Sequence, residues 1–183
     1  MSSNNAIPMT IAAPLQANYQ LGIWIGPRPN VQNFAPPSVT GNQVWLSVYD
    51  RTTLKQVFNY ASTDSSTLPS GISQYNNSQF ILVCSTIALG TDNLPQGDLY
   101  NFLMASGAGS QLMRLEQINQ HMSCGEIGSM GYILVNIMGT GVPGIEESSI
   151  DVSAPQGAIL TLGLLPTVIN GVTYYSPIEY QGN

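Results

Sequence analysis

Hydrophobic and polar residues alternate along NQVWLSVYD, residues 42–50. Because successive side chains of a strand point to opposite faces, this alternation predicts a β-strand. RTT then indicates a turn, and LKQVFNYAS (54–62) is a second β-rich stretch, so the two stretches predict a hairpin. Two sets of side chains fall on opposite faces of its first strand: Val44, Leu46 and Val48 on one, and Trp45, Ser47 and Tyr49 on the other.

Two continuous apolar runs, QFILVCSTI (79–87) and MGYILVNIMG (130–139), predict central strands that are buried on both faces. The C-terminal part also favours β-structure, with short strands in GAILTLG (157–163) and GVTYYSP (171–177). The longest apolar stretch near the end, AILTLGLLP, stops at Pro166.

Two stretches between the central strands have helical character. QGDLYNFLMASG offers Asp98 as a cap and ends at Gly107, and SQLMRLEQINQHMSCG is closed by Gly125. The second stretch carries one apolar stripe at helical spacing, formed by Leu112, Leu115, Ile118 and Met122.

The first 40 residues contain six prolines and one short apolar stretch, YQLGIWIG. A segment of this kind cannot build a core of its own, so it predicts an irregular arm that packs on its own domain or on a neighbouring subunit. Its apolar residues are the candidates for assembly contacts: Ile23, Trp24, Ile25 and Phe34.

These patterns together predict an α+β fold. A mixed β-sheet with a β-hairpin would carry one or two helices packed on it, flanked by the irregular N-terminal arm and a β-rich C-terminal extension. The corresponding division of the chain is an arm at 1–40, an α+β domain at 41–145 and the extension at 146–183.

Charge is scarce, at 8% of residues against roughly 25% in ordinary soluble proteins. The net charge is −6, and the four basic residues are Arg28, Arg51, Lys55 and Arg114. Four scattered cations do not form the patch that nucleic acid or an anionic membrane surface requires, so neither is an expected partner.

The N-terminal sequence MSSNNAIPMTIAAPLQ lacks the basic region of a signal peptide, and no run approaches the roughly 18 apolar residues of a membrane span. We therefore expect synthesis in the cytoplasm. The neutral surface, rich in Gly, Asn and Ser, is typical of lectins, fibres and virion proteins, so the expected location is a virion, such as that of a phage, or another extracellular particle.

YILVNIMGTGVPG (132–144) runs from a strand into the Gly-x-Gly-x-x-Gly spacing of a dinucleotide fingerprint. That fingerprint requires a following helix, because the pyrophosphate sits on the free N–H groups of the helix. Here only about two turns fit before Pro155, and Glu146 and Glu147 would repel a phosphate. The sequence therefore predicts a glycine-rich turn and no nucleotide site.

His121, the single histidine, lies three residues before Cys124, so both side chains could face one side of a helix. No orienting third group or oxyanion site accompanies the pair, and zinc would need two more ligands that Cys84 in a strand cannot supply. We expect no catalytic residues, no metal and no cofactor. The two cysteines favour free thiols over a disulfide.

Acidic residues follow or flank the ends of predicted strands. Asp50, Asp92 and Asp98 are typical of caps and turns, although a carboxylate pair for glycoside hydrolysis stays open. Asp92 and Asn93 supply two oxygen ligands, fewer than calcium needs, but they could bind sugar hydroxyls.

Aromatic residues supply the remaining candidate ligand site. Trp45 and Tyr49 share one strand face and could stack on sugar rings, with Tyr174 and Tyr175 as a similar pair. The alternative is that a helix or the N-terminal arm covers the face of Trp45 and Tyr49.

The order of hairpin, buried strand, helices and buried strand resembles the interleukin-like EMT inducer, or PANDER-like, domain. VWLSVYDRTT with VFNYAST, FILVCSTIALGTDN and GYILVNIMGTG stand in the order of that family's motifs, over residues 40–141. The resemblance implies an α+β domain. It also favours sugar binding, since some members resemble carbohydrate-binding stem modules.

Two hypotheses for function follow. The first is a non-catalytic structural protein of a virion or other extracellular particle, a homo-oligomer that assembles through its terminal arms. Deleting residues 1–35 would then leave a folded but dissociated domain. The alternative is a carbohydrate-binding module that uses exposed aromatics to bind a glycan.

Overall fold

The computed structural model describes residues 5–121, 128–150 and 156–179. Within these ranges the chain forms eleven strands and two α-helices, and the strands make two antiparallel sheets. The protein is therefore a largely β member of the predicted α+β class.

The first sheet brings the two ends of the chain together. Its order from edge to edge is β11 (Val172–Glu179), β10 (Ala158–Ile169), β1 (Ile7–Ala13), β2 (Gly22–Ile25) and β3 (Gln32–Phe34). The register of β1 against β10 runs without a break from Ile7 opposite Leu164 to Ala13 opposite Ala158. The expectation of an irregular N-terminal arm is therefore wrong. Five of the six prolines in the first 40 residues lie between or after strands β1, β2 and β3: Pro14, Pro27, Pro29, Pro36 and Pro37.

The second sheet is built from the middle of the chain. Its order is β5 (Gln56–Ser62), β4 (Gln43–Asp50), β6 (Phe80–Ile87), β8 (Ser129–Ile137) and β7 (Leu89–Gly90), and β9 (Ile145–Ser149) also pairs with β8. The predicted hairpin is β4–β5, and the two predicted central strands are β6 and β8, so these expectations are confirmed.

Two helices follow β7. They are α1 (Gly97–Ala105), with Asp98 in its first turn, and α2 (Ser110–His121). Gly107, with φ of +95°, lies just beyond the end of α1. Leu112 and Leu115 of the predicted stripe are buried and Ile118 is partly buried, whereas Met122 and Gly125 lie outside the described residues.

The second sheet is the middle layer of the fold, because both of its faces are buried. One face meets the helices through Val44, Leu46 and Val48, and the other meets the first sheet through Trp45 and Tyr49. The predicted division of β4 into two faces is thus confirmed. From the first sheet, the inter-sheet core receives Met9, Ile11, Ala13, Ile23, Ile25, Ala158, Leu162 and Leu164.

The glycine-rich stretch and Pro166 lie in different kinds of structure, a turn and a strand. The Gly-x-Gly-x-x-Gly stretch connects β8 to β9 as a turn, so no helix begins there. Strand β10, in contrast, continues through Pro166 to Ile169. Pro166 lies opposite Tyr175, whose N–H points away from β10 toward the Arg51 carbonyl, so the nitrogen of Pro166 points away from β11, past the end of the β1–β10 ladder at Ile7 and Leu164. A proline is tolerated at an edge because no ladder hydrogen bond is lost there.

Candidate functional site

Trp45 and Tyr49 do not form an exposed sugar-binding face. Their exposed fractions are 0% and 1%, and the Phe34 ring meets the Tyr49 ring edge-on at 5.0 Å. The Trp45 indole N–H donates to Asn59 Oδ1 at 2.7 Å, and the amide of Asn59 donates to the Ala35 carbonyl at 3.0 Å. The N-terminal segment therefore covers this face, as the alternative interpretation held.

The other predicted ligand residues lie in two separate places. Tyr174 and Tyr175 are neighbours on β11, so their side chains point to opposite faces of the first sheet. Tyr175 packs against the inter-sheet core, while the Arg51 guanidinium lies 5.6 Å from the Tyr174 ring centre. Asp92 and Asn93 lie in a short 3₁₀ turn after β7, at the second sheet. The predicted set does not form one site.

The four predicted assembly residues divide between two faces of the first sheet. Ile23 and Ile25 are buried in the inter-sheet core, and Phe34 packs against it, so these three residues stabilise their own chain. Trp24 points the other way, because it alternates with Ile23 and Ile25 along β2. Its half-buried side chain lies on the outer face of the sheet.

A groove of about 790 Å³ lies on this outer face, which the helices do not cover because they pack on the second sheet. Its floor is formed by outward side chains of adjacent strands. Trp24 lies directly opposite Thr10, which lies opposite Thr161, and the two threonine hydroxyls are 3.2 Å apart. Ala12 and Gly22 are the next pair along β1 and β2. These small residues beside a large indole leave the depression.

Two loops form the walls of the groove. One wall, before β2, carries Tyr19 and Gln20, and a hydrogen bond from the Tyr19 N–H to the Gln16 carbonyl at 3.1 Å closes its turn. The other wall is the loop between β2 and β3, which carries Pro27, Arg28 and Val31.

The loop between β2 and β3 begins at Gly26, where the backbone conformation requires a glycine. It has φ of +111°, and a Cβ at this position would lie 2.8 Å from the Asn30 carbonyl oxygen. Its N–H donates to the Pro8 carbonyl at 2.9 Å, which ties the loop to β1. The wall is therefore held by backbone contacts that leave its side chains free to face the groove.

Three polar groups around the groove have no hydrogen-bond partner within the described part of the chain, whereas the Thr10 hydroxyl lies 3.2 Å from that of Thr161. Neither the Trp24 indole N–H, the Tyr19 hydroxyl nor the Arg28 guanidinium makes a hydrogen bond to another described residue. Gln20 and Gln156 add amide groups at the rim, and Ile159 adds an exposed apolar surface. The groove thus combines aromatic faces, hydrogen-bond donors and acceptors, and one positive charge.

Sequence reasoning placed Trp24 in an assembly contact and did not identify the groove. The alternation in YQLGIWIG carried a usable signal, because it puts Trp24 on the face opposite the apolar Ile23 and Ile25. Local patterns could not have placed Gln156 beside Trp24, because the two residues lie far apart in the chain.

A second depression, of about 480 Å³, borders the start of α2 and the turn between β8 and β9. Here the Glu146 carboxylate accepts hydrogen bonds from the N–H groups of Gly109 and Gln111, at 2.9 and 3.3 Å. The Tyr132 hydroxyl also donates to Glu146 at 2.7 Å, and burial, followed by the nearby charges and this bond, raises the pKa of Tyr132. Glu146 is thus the cap of α2, and no free N-terminus is offered to a phosphate.

The candidate cysteine–histidine pair is only partly described. His121 is exposed at the last residue of α2, and Cys124 lies outside the described residues. Cys84 is a free thiol buried between the second sheet and the helices, and burial raises its pKa to about 12. Among the described residues, no group of three or more His, Cys, Asp or Glu side chains is placed to hold a metal.

A comparison with protein-family models finds no match, and a search of curated proteins finds no similar sequence. The resemblance to the interleukin-like EMT inducer domain therefore stays a prediction. Within residues 5–121, 128–150 and 156–179, no helix has the length and apolar character needed to cross a membrane.

Proposed function

We propose that the protein is a saccharide-binding module whose site is the groove on the outer face of the first sheet. The observation that carries the proposal is the placement of Trp24 on the groove floor, near the Tyr19 hydroxyl and the Arg28 guanidinium, which have no hydrogen-bond partner among the described residues. The function is the carbohydrate-binding alternative of the sequence analysis, but the residues are different.

Aromatic side chains suit sugars because a pyranose ring has apolar C–H faces and a polar edge of hydroxyls. The indole of Trp24 supplies a flat apolar surface, and Tyr19 supplies a second aromatic ring with a hydroxyl. Thr10 and the two glutamines can exchange hydrogen bonds with ring hydroxyls. An open groove of this volume falls within the range of about 300–1,000 Å³ typical of small-molecule sites.

Binding without catalysis is favoured by the side chains of the groove. No described residue that lines it is an acid, a histidine or a cysteine. Hydrolysis of a glycosidic bond normally uses two carboxylic acids, one on each side of the bond. The groove therefore supports recognition rather than bond cleavage.

The test is calorimetric titration of the full chain with cellohexaose, chitohexaose and hexagalacturonate. We expect at least one to bind, and we expect Trp24→Ala to weaken it by about tenfold or more, because the stacking surface is lost. Trp24→Phe should keep part of the affinity, and Tyr60→Ala on β5 of the other sheet is the matched control. Binding of none of the three sugars, or equal binding by Trp24→Ala, contradicts the proposal.

A second candidate function, a subunit of a homo-oligomer, is favoured by the β10–β11 hairpin. Its tip exposes Val168, Ile169 and Val172 by 68%, 53% and 43%. The tip, residues 167–173, carries no charged side chain, so two copies can meet there without repulsion. In this version of the assembly hypothesis, the C-terminal β10–β11 hairpin is the region that forms the contact, and its partner is a second copy of the chain.

Light scattering distinguishes this candidate from a monomeric module. The expected result is a mass above that of one chain, which Val168→Asp reduces to the monomer because a buried charge opposes docking. Val57→Asp, at an exposed apolar position on β5, is the control. A monomeric wild-type chain at high concentration would exclude the hairpin as an assembly element.

A further inference from the structure

We infer that the groove selects saccharides that carry a carboxylate, such as uronic acids, and that Arg28 is the residue that binds the carboxylate. The inference rests on the proposed function and specifies its ligand class. Arg28 lies in the wall loop between β2 and β3, beside a floor that carries Trp24.

The charge around the groove is opposite to the charge of the protein as a whole. The chain has ten acidic and four basic residues, yet the described groove lining includes one cation and no carboxylate. A negatively charged ligand would therefore meet no like charge among the described residues that line the groove. This local reversal is what a site for a single anionic group requires.

Arg28 is also free to bind a ligand. Arg51, by comparison, is occupied by contacts to Tyr175, Ser176 and Ser78. Arg28 has an exposed side chain and makes no ion pair or hydrogen bond to the described residues. Because its guanidinium is planar and has several donors, it can bind both oxygens of a carboxylate at once.

The arrangement of the groove matches the two parts of an acidic sugar. A ring stacked on Trp24 would direct its edge substituents toward the loop walls, and Arg28 stands on one of these walls. A single cation suits one carboxylate at a time. It does not suit the closely spaced phosphates of a nucleic acid, which need several cations.

The test compares two probes that share one sugar backbone: hexagalacturonate and its fully methyl-esterified, neutral form. Fluorescence of Trp24 can report binding, because the other tryptophan, Trp45, is fully buried. We expect the wild-type chain to bind the acidic form roughly five- to twentyfold more tightly than the neutral form. Added salt should weaken only the acidic form, since salt screens an exposed ion pair.

Variants of Arg28 separate charge from shape. Arg28→Gln should bind both forms equally, at the affinity of the wild-type chain for the neutral form, and Arg28→Lys should keep part of the preference. Arg114→Gln, which removes an exposed cation on α2, should keep the full preference. Thermal unfolding of each variant checks that it is folded.

The outcomes distinguish the two proposals. Equal binding of both forms by the wild-type chain, or an unchanged preference in Arg28→Gln, overturns the role of Arg28 but leaves saccharide binding in place. If neither form of the galacturonate binds, and cellohexaose and chitohexaose also fail to bind, both the role of Arg28 and the saccharide-binding function are overturned.

Discussion

Arg51 and Tyr175 bind each other twice across the two sheets. The Tyr175 N–H donates to the Arg51 carbonyl at 2.8 Å, and the Arg51 Nε donates to the Tyr175 carbonyl at 2.9 Å. Arg51 lies in the turn after β4 of the second sheet, and Tyr175 lies on β11, at the edge of the first. The guanidinium also donates to the Ser78 carbonyl at 2.5 Å and to Ser176 Oγ at 2.8 Å. One side chain thus joins the C-terminal hairpin to two loops of the middle layer.

Replacing Arg51 with Gln should destabilise the fold by about 2 kcal/mol, because three acceptors lose a charged donor. Urea unfolding measures the change, and Arg51→Lys should lie between the variant and the wild type. Lys55→Gln removes an exposed cation of the same turn and is the control. A loss for Arg51→Gln no larger than that for Lys55→Gln would show that the contact does not hold the hairpin.

Deleting residues 1–35 should unfold the chain rather than release a folded domain. The deletion removes β1, β2 and β3, which would uncover Trp45 and Tyr49 and leave β10 with β11 as its one remaining neighbour in the first sheet. Thermal unfolding followed by circular dichroism tests this, and we expect the truncated chain to show no cooperative transition. A truncated chain that still unfolds cooperatively would return the segment to the role of a separable arm.

Point variants within the same segment provide a matched comparison. Ile23→Ala should cost about 2–5 kcal/mol because Ile23 is buried between the sheets. Trp24→Ala, one residue further along and on the outer face, should cost far less stability in urea unfolding while it weakens saccharide binding by about tenfold or more.

Gly131→Ala tests the close approach of the two sheets. A Cβ at Gly131 of β8 would lie 2.5 Å from the Ala13 carbonyl oxygen and 3.2 Å from the Ala158 nitrogen. Both neighbours are backbone atoms, so the sheets must move apart, at an expected cost of about 1–3 kcal/mol in the free energy of unfolding. Gly41→Ala is the control, because its Cβ would meet only the Ala88 side chain at 3.9 Å. Equal stability of the two variants would contradict the expectation.

Acid should weaken the β4–β5 turn through Asp50. Partial burial raises the pKa of Asp50, but hydrogen bonds from the hydroxyl and N–H groups of Thr52 and Thr53, at 2.6 to 3.0 Å, outweigh it, so the pKa lies below its ordinary value of 3.8. A carboxylate whose folded pKa is depressed contributes stability above its unfolded pKa and loses it as the pH falls through the folded pKa.

Unfolding free energies measured from pH 7 downward should therefore show a decrease below about pH 4 that is smaller in Asp50→Asn. Asp92→Asn, with an exposed side chain in another turn, is the control and should retain the wild-type decrease. Identical pH profiles for Asp50→Asn and the wild type would exclude this contribution.

The Cys84 thiol should be unreactive in the folded protein. Burial raises its pKa to about 12, and the thiolate is the reactive form, so almost none is present at pH 8. In a Cys124→Ser variant, labelling by a disulfide reagent should be at least about a hundredfold slower before unfolding than after it. Rapid labelling of the folded variant would show that the core between the second sheet and the helices opens easily.

Local sequence patterns predicted the middle layer well. Alternation in β4 separated Val44 from Trp45 by face, and the apolar runs of β6 and β8 indicated strands covered on both sides. These predictions depend on side-chain period and on short-range turn chemistry, both of which are written in neighbouring residues. The glycine-rich stretch before β9 was recognised as a turn for the same reason.

The partner of the N-terminal segment was decided only by the tertiary structure. Pairing of β1 with β10 joins residues at opposite ends of the chain, and the proline-rich composition of the segment concealed three short strands. The positions of both tryptophans follow from this long-range pairing. The first sheet covers Trp45 on the second sheet, and it carries Trp24 on its own outer face. The sequence by itself determined which residues alternate and which faces are apolar. It did not determine which apolar face meets which, since that depends on contacts between distant segments that compete for the same surface.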